Sequence, residues 1–188
     1  YEVPLGTRLA EVLEMCGAEE PQAVQVGGAS GQMVGAADFD RGICFDDLAT
    51  GGALVVFGAG RDLLAIASDY MAFFIHESCG YCTPCRVGNV LLKERLDRIR
   101  TGRGETEDLD YLRALAATVR TASRCGLGQT SPNPVASTLR NFLPLYEARL
   151  TSPAGGRRSA FDLTSRLAEA GRLAGRSPVD LEAGGEPR

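Results

Sequence analysis

The sequence predicts an α+β protein: a small mixed domain over residues 1–60, then an all-α bundle over residues 61–150. Three observations carry this. Up to residue 60 the chain is rich in glycine and short apolar runs, the pattern of short strands joined by tight turns. From residue 61 apolar side chains recur at helical spacing. Residues 151–188 lack a sustained pattern and read as a tail with one short helix, partly disordered.

The elements follow in order. "TRLAEVLEMCG" sets Leu9, Val12, Leu13 and Cys16 on one helical face, with Thr7 as N-cap and Gly17 as the stop. "QAVQVGG" alternates like a half-buried strand, and "QMVG" and "GICF" are short strand candidates. "ALVVFG" is a continuous apolar run between glycines, as a central buried strand would be. Residues 61–77 carry few polar side chains and predict a buried helix. "VGNVLLKERLDRIR" places Leu92, Leu96 and Ile99 at i, i+4, i+7, with Glu94 and Arg98 spaced to pair. After the break at 102–104, Thr106 is the expected cap of a helix with Leu109, Leu112, Ala116 and Val119 on its inner face. Asn133 as N-cap and Pro134 at the first position open a last helix toward Leu150, kinked at Pro144. Four helices with short links predict a bundle. Beyond it, "FDLTSRLAEAGRLAG" is a short amphipathic stretch.

Composition narrows the function. Net charge is −4 with both signs interspersed, and all but one of the 20 basic residues are arginine. Nothing in this distribution predicts a nucleic-acid-binding face. No apolar run reaches the roughly 20 residues a membrane helix needs, so direct membrane insertion is not expected. The first residues lack a basic segment leading into an apolar one, so no secretory signal is expected. A start on Tyr1 rather than Met reads as a processed chain, an excised piece or part of something longer.

Six cysteines in such a chain read as reduced thiols in a cytoplasmic protein, where clusters mean metal or redox chemistry. Cys79, Cys82 and Cys85 fall within seven residues. That run wraps three thiolates around three corners of an iron–sulfur cube. Cys125, in "RCGLGQ", is separated from Cys85 by 39 residues, the length of a helical hairpin that runs out and back. It is the fourth ligand candidate, and Gly80, Gly126 and Gly128 would let backbone N–H groups approach the sulfurs. A zinc site is the alternative, although zinc more often takes two separate Cys-x-x-Cys pairs. Cys16 and Cys44 read as buried structural cysteines. His76, the sole histidine, is expected in helix packing or in a hydrogen bond beside the motif rather than as a ligand. Arg86 and Arg124 flank ligand candidates; they read equally as surface arginines or as cations offsetting the charge that reduction adds. "VGGASG" and "GAGRD" complete no phosphate-binding pattern and read as turns.

"HESCGYCTPCRVGN" followed by "RCGLGQTSPNPVASTLRNF" resembles the C-terminal half of the NADH-oxidising flavoprotein subunits. These include the diaphorase subunit of NAD-reducing nickel–iron hydrogenases, the β subunit of NAD-dependent formate dehydrogenases and the flavin subunit of complex I. The resemblance covers about residues 1–150. It implies a ubiquitin-like β-grasp domain of the SLBB type over 1–60 and a cluster-binding four-helix bundle over 61–150. It also implies one 4Fe–4S cluster on Cys79, Cys82, Cys85 and Cys125. The family binds FMN and NADH in an upstream domain that this chain lacks, so no catalytic, NAD or FMN residue is expected here. The implied role is one-electron relay between that flavin and partner iron–sulfur subunits of a hydrogenase or dehydrogenase. The form "CGLGQTSPNP" and the tail resemble the hydrogenase and formate dehydrogenase members more than complex I, and the hydrogenase diaphorase is the preferred reading.

Overall fold

In the computed structural model, which describes residues 1–151 and 172–173, helix α1 (Leu9–Met15) precedes strands β1 (Ala23–Val26), β2 (Gln32–Val34) and β3 (Leu54–Phe57). Helices α2 (Leu63–Glu77), α3 (Thr83–Arg100), α4 (Thr106–Ala122), α5 (Gly126–Thr130), α6 (Asn133–Asn141) and α7 (Leu143–Glu147) follow. The architecture is α+β. The stretch 161–175 and the chain end, where a short helix and disorder are expected, lie outside the described residues apart from 172 and 173.

Helix α1 buries Leu9, Val12 and Leu13 against Val24, Val26, Val34, Ile43 and Leu48. Its stop is the expected one. Gly17 adopts φ +66°, its N–H reaches the Glu14 carbonyl at 3.0 Å, and the Ala18 N–H reaches the Leu13 carbonyl at 3.0 Å. That pair satisfies two end carbonyls, and the left-handed turn suits glycine. The start differs: Arg8 is the N-cap, and the Thr7 hydroxyl instead donates to the Pro4 carbonyl at 2.7 Å.

The sheet is antiparallel in the order β2-β1-β3, with Gln25 facing Met33 on one side and Val55 on the other. This reverses two expectations. β1 is the central strand and is buried on both faces, not half-buried. Val24 and Val26 join the α1 core, while Ala23 packs with Met33 and Leu63 on the opposite face. β3, expected at the centre, is an edge strand with Val55 and Val56 exposed. Residues 42–45 form no strand. The Gly42 N–H is taken by the Asp47 carboxylate at 3.0 Å, leaving only an isolated bridge from Gly42 to Arg8.

The other edge of the sheet is closed by α6. The Met33 N–H donates to Ser137 Oγ at 3.0 Å, and Asn141 Nδ2 donates to the Met33 carbonyl at 2.8 Å. Side chains thus supply the partners that a further strand would provide.

The helices share one core: Leu64, Ala67 and Met71 of α2, Leu92, Leu96 and Ile99 of α3, Leu109, Leu112, Ala116 and Val119 of α4, then Val135, Leu139 and Tyr146. Both predicted inner stripes, on α3 and on α4, are buried as expected. Helix α2 is capped by Asp62, whose carboxylate accepts from the N–H of Leu64 and Ala65. It is buried on one face only; Phe73 is 49% exposed. At Gly88, α3 and α4 approach so closely that a Cβ would sit 2.3 Å from Val119 Cγ2.

Several helix starts differ from expectation for local reasons. Arg98 pairs with Glu105 and Asp108 rather than Glu94. Glu105, not Thr106, caps α4, in a reciprocal box with Asp108. Pro132 is the N-cap residue of α6, because the Asn133 side chain is committed elsewhere: Nδ2 donates to the Ser30 carbonyl at 2.6 Å and Oδ1 accepts from Arg120 at 2.8 Å. Pro144 does not kink a long helix. The chain breaks at Phe142 (φ −133°, ψ 36°), and Pro144 lies in the first turn of α7.

Asp108 is the most committed charge in this region. It is 1% exposed, caps α4 and pairs with Arg95 and Arg98. Asp108→Ala should lower stability by about 3 kcal/mol through an orphaned cap and the loss of the acidic partner of Arg95, while Arg98 keeps Glu105. Asp110→Ala, which removes an exposed pair with Arg113, should cost less than about 0.5 kcal/mol. Urea unfolding of the two variants checks this ordering.

Candidate metal centre

The four candidate cysteines reach one end of the helical region by two routes. Helix α2 stops at Ser78, and the chain turns through Gly80 at φ +75° into Cys82, the N-cap residue of α3. Pro84 in the first turn of α3 fixes the start of that helix. Cys85 is then the first buried residue on α3, heading the face that continues through Gly88, Asn89, Leu92, Leu96 and Ile99. The second route is the hairpin. Helix α4 ends at Ser123, and Cys125 is the N-cap residue of α5.

Cys79, Cys82 and Cys125, together with Tyr81 and Arg124, line one open cavity of about 470 Å³. The structure therefore brings Cys125 to the cysteine loop. Cys85 does not line this cavity. It is 5% exposed and packs beside Gly128, where a Cβ would lie 3.1 Å from Cys85 Cβ and 2.6 Å from Ser123 Oγ. Glycine is thus the residue that lets α5 close over Cys85.

The cysteine loop is braced by polar contacts. The Gly80 N–H donates to Ser78 Oγ at 3.2 Å, and Arg86 Nη1 donates to the Gly80 carbonyl at 2.9 Å. Ser78 Oγ lies 3.3 Å from Cys85 Sγ, and Asn89 Nδ2 donates to the same sulfur at 3.4 Å. The Arg124 guanidinium stacks on Tyr81 at 4.7 Å. Arg86 therefore ties down the loop, and Arg124 forms part of the cavity wall.

The Cys82 thiol is held below its ordinary pKa, first by the Arg124 N–H and then by the Cys85 N–H. Donors aimed at a sulfur favour its thiolate form, the form that binds metal. Ser123 Oγ is itself buried without a hydrogen-bond partner among the described residues. An orphaned hydroxyl is costly unless something accepts from it. Here it faces Cys82, and a metal-bound sulfur there is such an acceptor.

These features fit a polynuclear cluster better than a single ion. Among the described residues no three His, Cys, Asp or Glu side chains converge closely enough to hold one metal ion. Zinc requires that convergence, since each Zn–S bond is about 2.3 Å. In an iron–sulfur cube each thiolate serves a different iron, so the ligands surround a larger body; Cys79, Cys82 and Cys125 line a cavity that suits one side of it, and Cys85 stands outside that lining.

The other predicted residues lie elsewhere. Cys16, expected to be buried, is exposed, because it falls at the C-cap of α1 beyond the buried Leu13. Cys44 is partly exposed, next to Phe45 at 83% exposure. Neither lines the cavity. His76 projects from the last turn of α2 and pairs with Glu77 at 3.0 Å, so it neither packs nor reaches a cysteine. Sequence reasoning missed Ser78, Asn89, Ser123 and Ser131. For Asn89 a signal existed: a carboxamide stands on the α3 face that is otherwise aliphatic at Leu92, Leu96 and Ile99.

Gly128→Ala forces a Cβ against Ser123 and Cys85, whereas a Cβ at Gly126 meets nothing within 4 Å. Overpacking of this kind should lower the thermal midpoint by roughly 5 °C for Gly128→Ala, and Gly126→Ala should leave it near that of the parent. Differential scanning calorimetry of the two variants decides.

Known proteins of similar sequence and structure give a second line of observation. Residues 65–149 match the family described as the NADH-ubiquinone oxidoreductase-F iron-sulfur binding region. The chain is 44% identical to NAD-reducing hydrogenase HoxS subunit alpha of Cupriavidus necator, over 89% of this chain and 28% of that protein. It is 39% identical to NADP-reducing hydrogenase subunit HndC of Solidesulfovibrio fructosivorans, over 79% and 33% respectively. It is 32% identical to an NADH-quinone oxidoreductase component of Streptomyces coelicolor, over 92% and 40%. The crystal structure of an NAD+-reducing NiFe hydrogenase in its hydrogen-reduced state matches with a TM-score of 0.75 and 37% identity, over 94% of this chain and 31% of that one. The chain thus spans well under half the length of these relatives.

Proposed function

Residues 65–149 belong to the NADH-ubiquinone oxidoreductase-F iron-sulfur binding family, and from that premise we propose that the chain is the electron-transfer segment of an NAD-reducing hydrogenase diaphorase subunit. The observation that carries the reading is the cavity where Cys79 and Cys82 from one loop meet Cys125 from the far side of a helical hairpin. Sequence identity favours the hydrogenase over complex I: the two hydrogenase relatives share 44% and 39%, and the quinone-linked relative from Streptomyces coelicolor shares 32%.

In this reading residues 1–60 are a β-grasp domain of the SLBB type, and 61–150 are a four-helix cluster-binding bundle elaborated by short helices. Cys79, Cys82, Cys85 and Cys125 hold one 4Fe–4S cluster. Bound there, it supplies one-electron transfer between a flavin and partner iron–sulfur subunits. The protein's own part is structural and electrostatic. The hairpin fixes the fourth thiol, Arg86 pins the loop through the Gly80 carbonyl, and the Arg124 and Cys85 N–H groups favour thiolate at Cys82. In the same reading FMN and NAD belong to an upstream domain outside these 188 residues. The partners are hydrogenase and iron–sulfur subunits of a cytoplasmic complex. No helix among the described residues is long and apolar enough to cross a membrane.

Cys125→Ser should abolish or strongly reduce iron binding and visible colour after anaerobic reconstitution, and Cys44→Ser should retain both. Equal iron content in the two variants would remove Cys125 from the ligand set, and a colourless parent with bound zinc would replace the cluster by a structural ion.

The reconstituted chain should accept electrons from dithionite yet show no NADH-dependent dye reduction, with or without added FMN. Its glycine-rich stretches are short turns beside a three-stranded sheet, too small to enclose a flavin and a dinucleotide. A diaphorase assay run beside a dithionite titration checks this, and turnover with NADH would reveal a nucleotide site within the chain.

A further inference from the structure

Cys85 differs from the other three cysteines in its surroundings. Cys79 and Cys125 are exposed and Cys82 is partly exposed, while Cys85 is buried. Water can solvate the first three sulfurs. Cys82 also takes the N–H groups of Arg124 and Cys85, but the buried fourth depends on the protein alone for its hydrogen-bond donors.

Asn89 supplies one. It is fully buried, four residues beyond Cys85 on the same face of α3, and its Nδ2 donates to Cys85 Sγ at 3.4 Å. Burying a carboxamide in an aliphatic stripe is unfavourable unless its polar atoms are paired. Both atoms of this one are. Asn89 Oδ1 accepts from Ser131 Oγ at 2.7 Å, and Ser131 is also fully buried. Ser131 Oγ lies a further 3.1 Å from the Gly128 carbonyl, so the short bond to Asn89 is the dominant one. By donating to Oδ1, the Ser131 hydroxyl favours the amide orientation that turns the NH2 end toward the sulfur. With Oδ1 accepting from Ser131, the NH2 end faces the sulfur. A thiolate only accepts, so this orientation is attractive, and the reverse would set an oxygen against it.

From this chain of contacts we infer that Asn89, oriented by Ser131, is the positioning residue for Cys85 and sets the reduction potential of the centre that Cys85 serves. The inference rests on the cluster reading above. A hydrogen bond to sulfur withdraws electron density and stabilises the more negative, reduced form. The effect is largest where the local dielectric is low, which is the buried corner rather than the three wet ones. Ser78 Oγ, 3.3 Å from the same sulfur, is attached to the loop and is partly exposed. It lacks the second buried partner that locks Asn89.

The test uses the reconstituted 188-residue chain, its iron content and a potentiometric titration followed by EPR. Asn89→Leu fills the space without the donor. It should assemble the cluster and shift the reduction equilibrium at least tenfold toward the oxidised form, a midpoint lower by about 59 mV for one electron. Ser131→Ala leaves the donor but frees its orientation, and should shift the midpoint in the same direction by a smaller amount. Full iron content with an unshifted midpoint in Asn89→Leu overturns the inference. Should Asn89→Leu fail to assemble, Ser131→Ala decides alone: a lowered midpoint at parental iron content supports the inference and an unchanged one overturns it. A colourless parent carrying zinc overturns the cluster reading and this inference with it, whereas a brown parent with unshifted variants overturns only this one.

Discussion

The close packing of α3 on α4 is the constraint on which the site depends. The helices contain 18 and 17 residues, so at 1.5 Å per residue each runs about 26 Å. Near-equal lengths mean that the outward and return journeys cancel, and Cys125 arrives where Cys82 began. Gly88 against Val119 holds the pair together near the cysteine end. The capping box of Glu105 and Asp108, with Arg95 and Arg98, fixes the far end. A change in either helix length would rotate the return strand by about 100° per residue and carry Cys125 away from the cavity.

The sheet contributes in a different way. Its central strand is buried on both faces because α1 covers one and the helical part covers the other. The β2 edge is satisfied by side chains of α6, and α6 follows directly from the segment bearing Cys125. The Asn133 side chain, which holds Ser30 and Arg120 together, adds a further tie. The cysteine end of the hairpin is thereby anchored at α6 as well as through α4.

Much of this was legible in the sequence where periodicity is long. The stripes Leu92–Ile99 and Leu109–Val119 repeat over several turns, and burial follows the repeat. The meeting of Cys125 with the cysteine loop was legible for a related reason, since hairpin length alone returns it to its origin. What failed was local. "ALVVFG" and "QAVQVGG" are too short to tell a central strand from an edge, and which of them is covered twice depends on helices far along the chain. Caps failed where a side chain had a better partner: Asn133 serves Ser30 and Arg120, and Asp47 takes the Gly42 N–H that a strand would have used. Cys16 and Cys44 looked buried by residue type, but they fall just past the buried positions Leu13 and Ile43. Asn89 and Ser131 matter only as a pair, and their separation of 42 residues hides the pairing from any local reading.

The seam between β2 and α6 also bears on how the chain reaches its native state. Met33 and Ser137 are 104 residues apart in sequence, whereas Arg98 and Glu105 at the hairpin turn are only 7 apart. Bringing distant positions together costs loop-closure entropy that grows with the logarithm of separation, a difference of about 2 kcal/mol between these two contacts. The hairpin is the low-contact-order element and the seam the high one. Assembly therefore favours the helical hairpin first and the sheet–helix seam last. On that entropy alone, the hairpin whose open end carries the cysteines is cheaper to close than the seam.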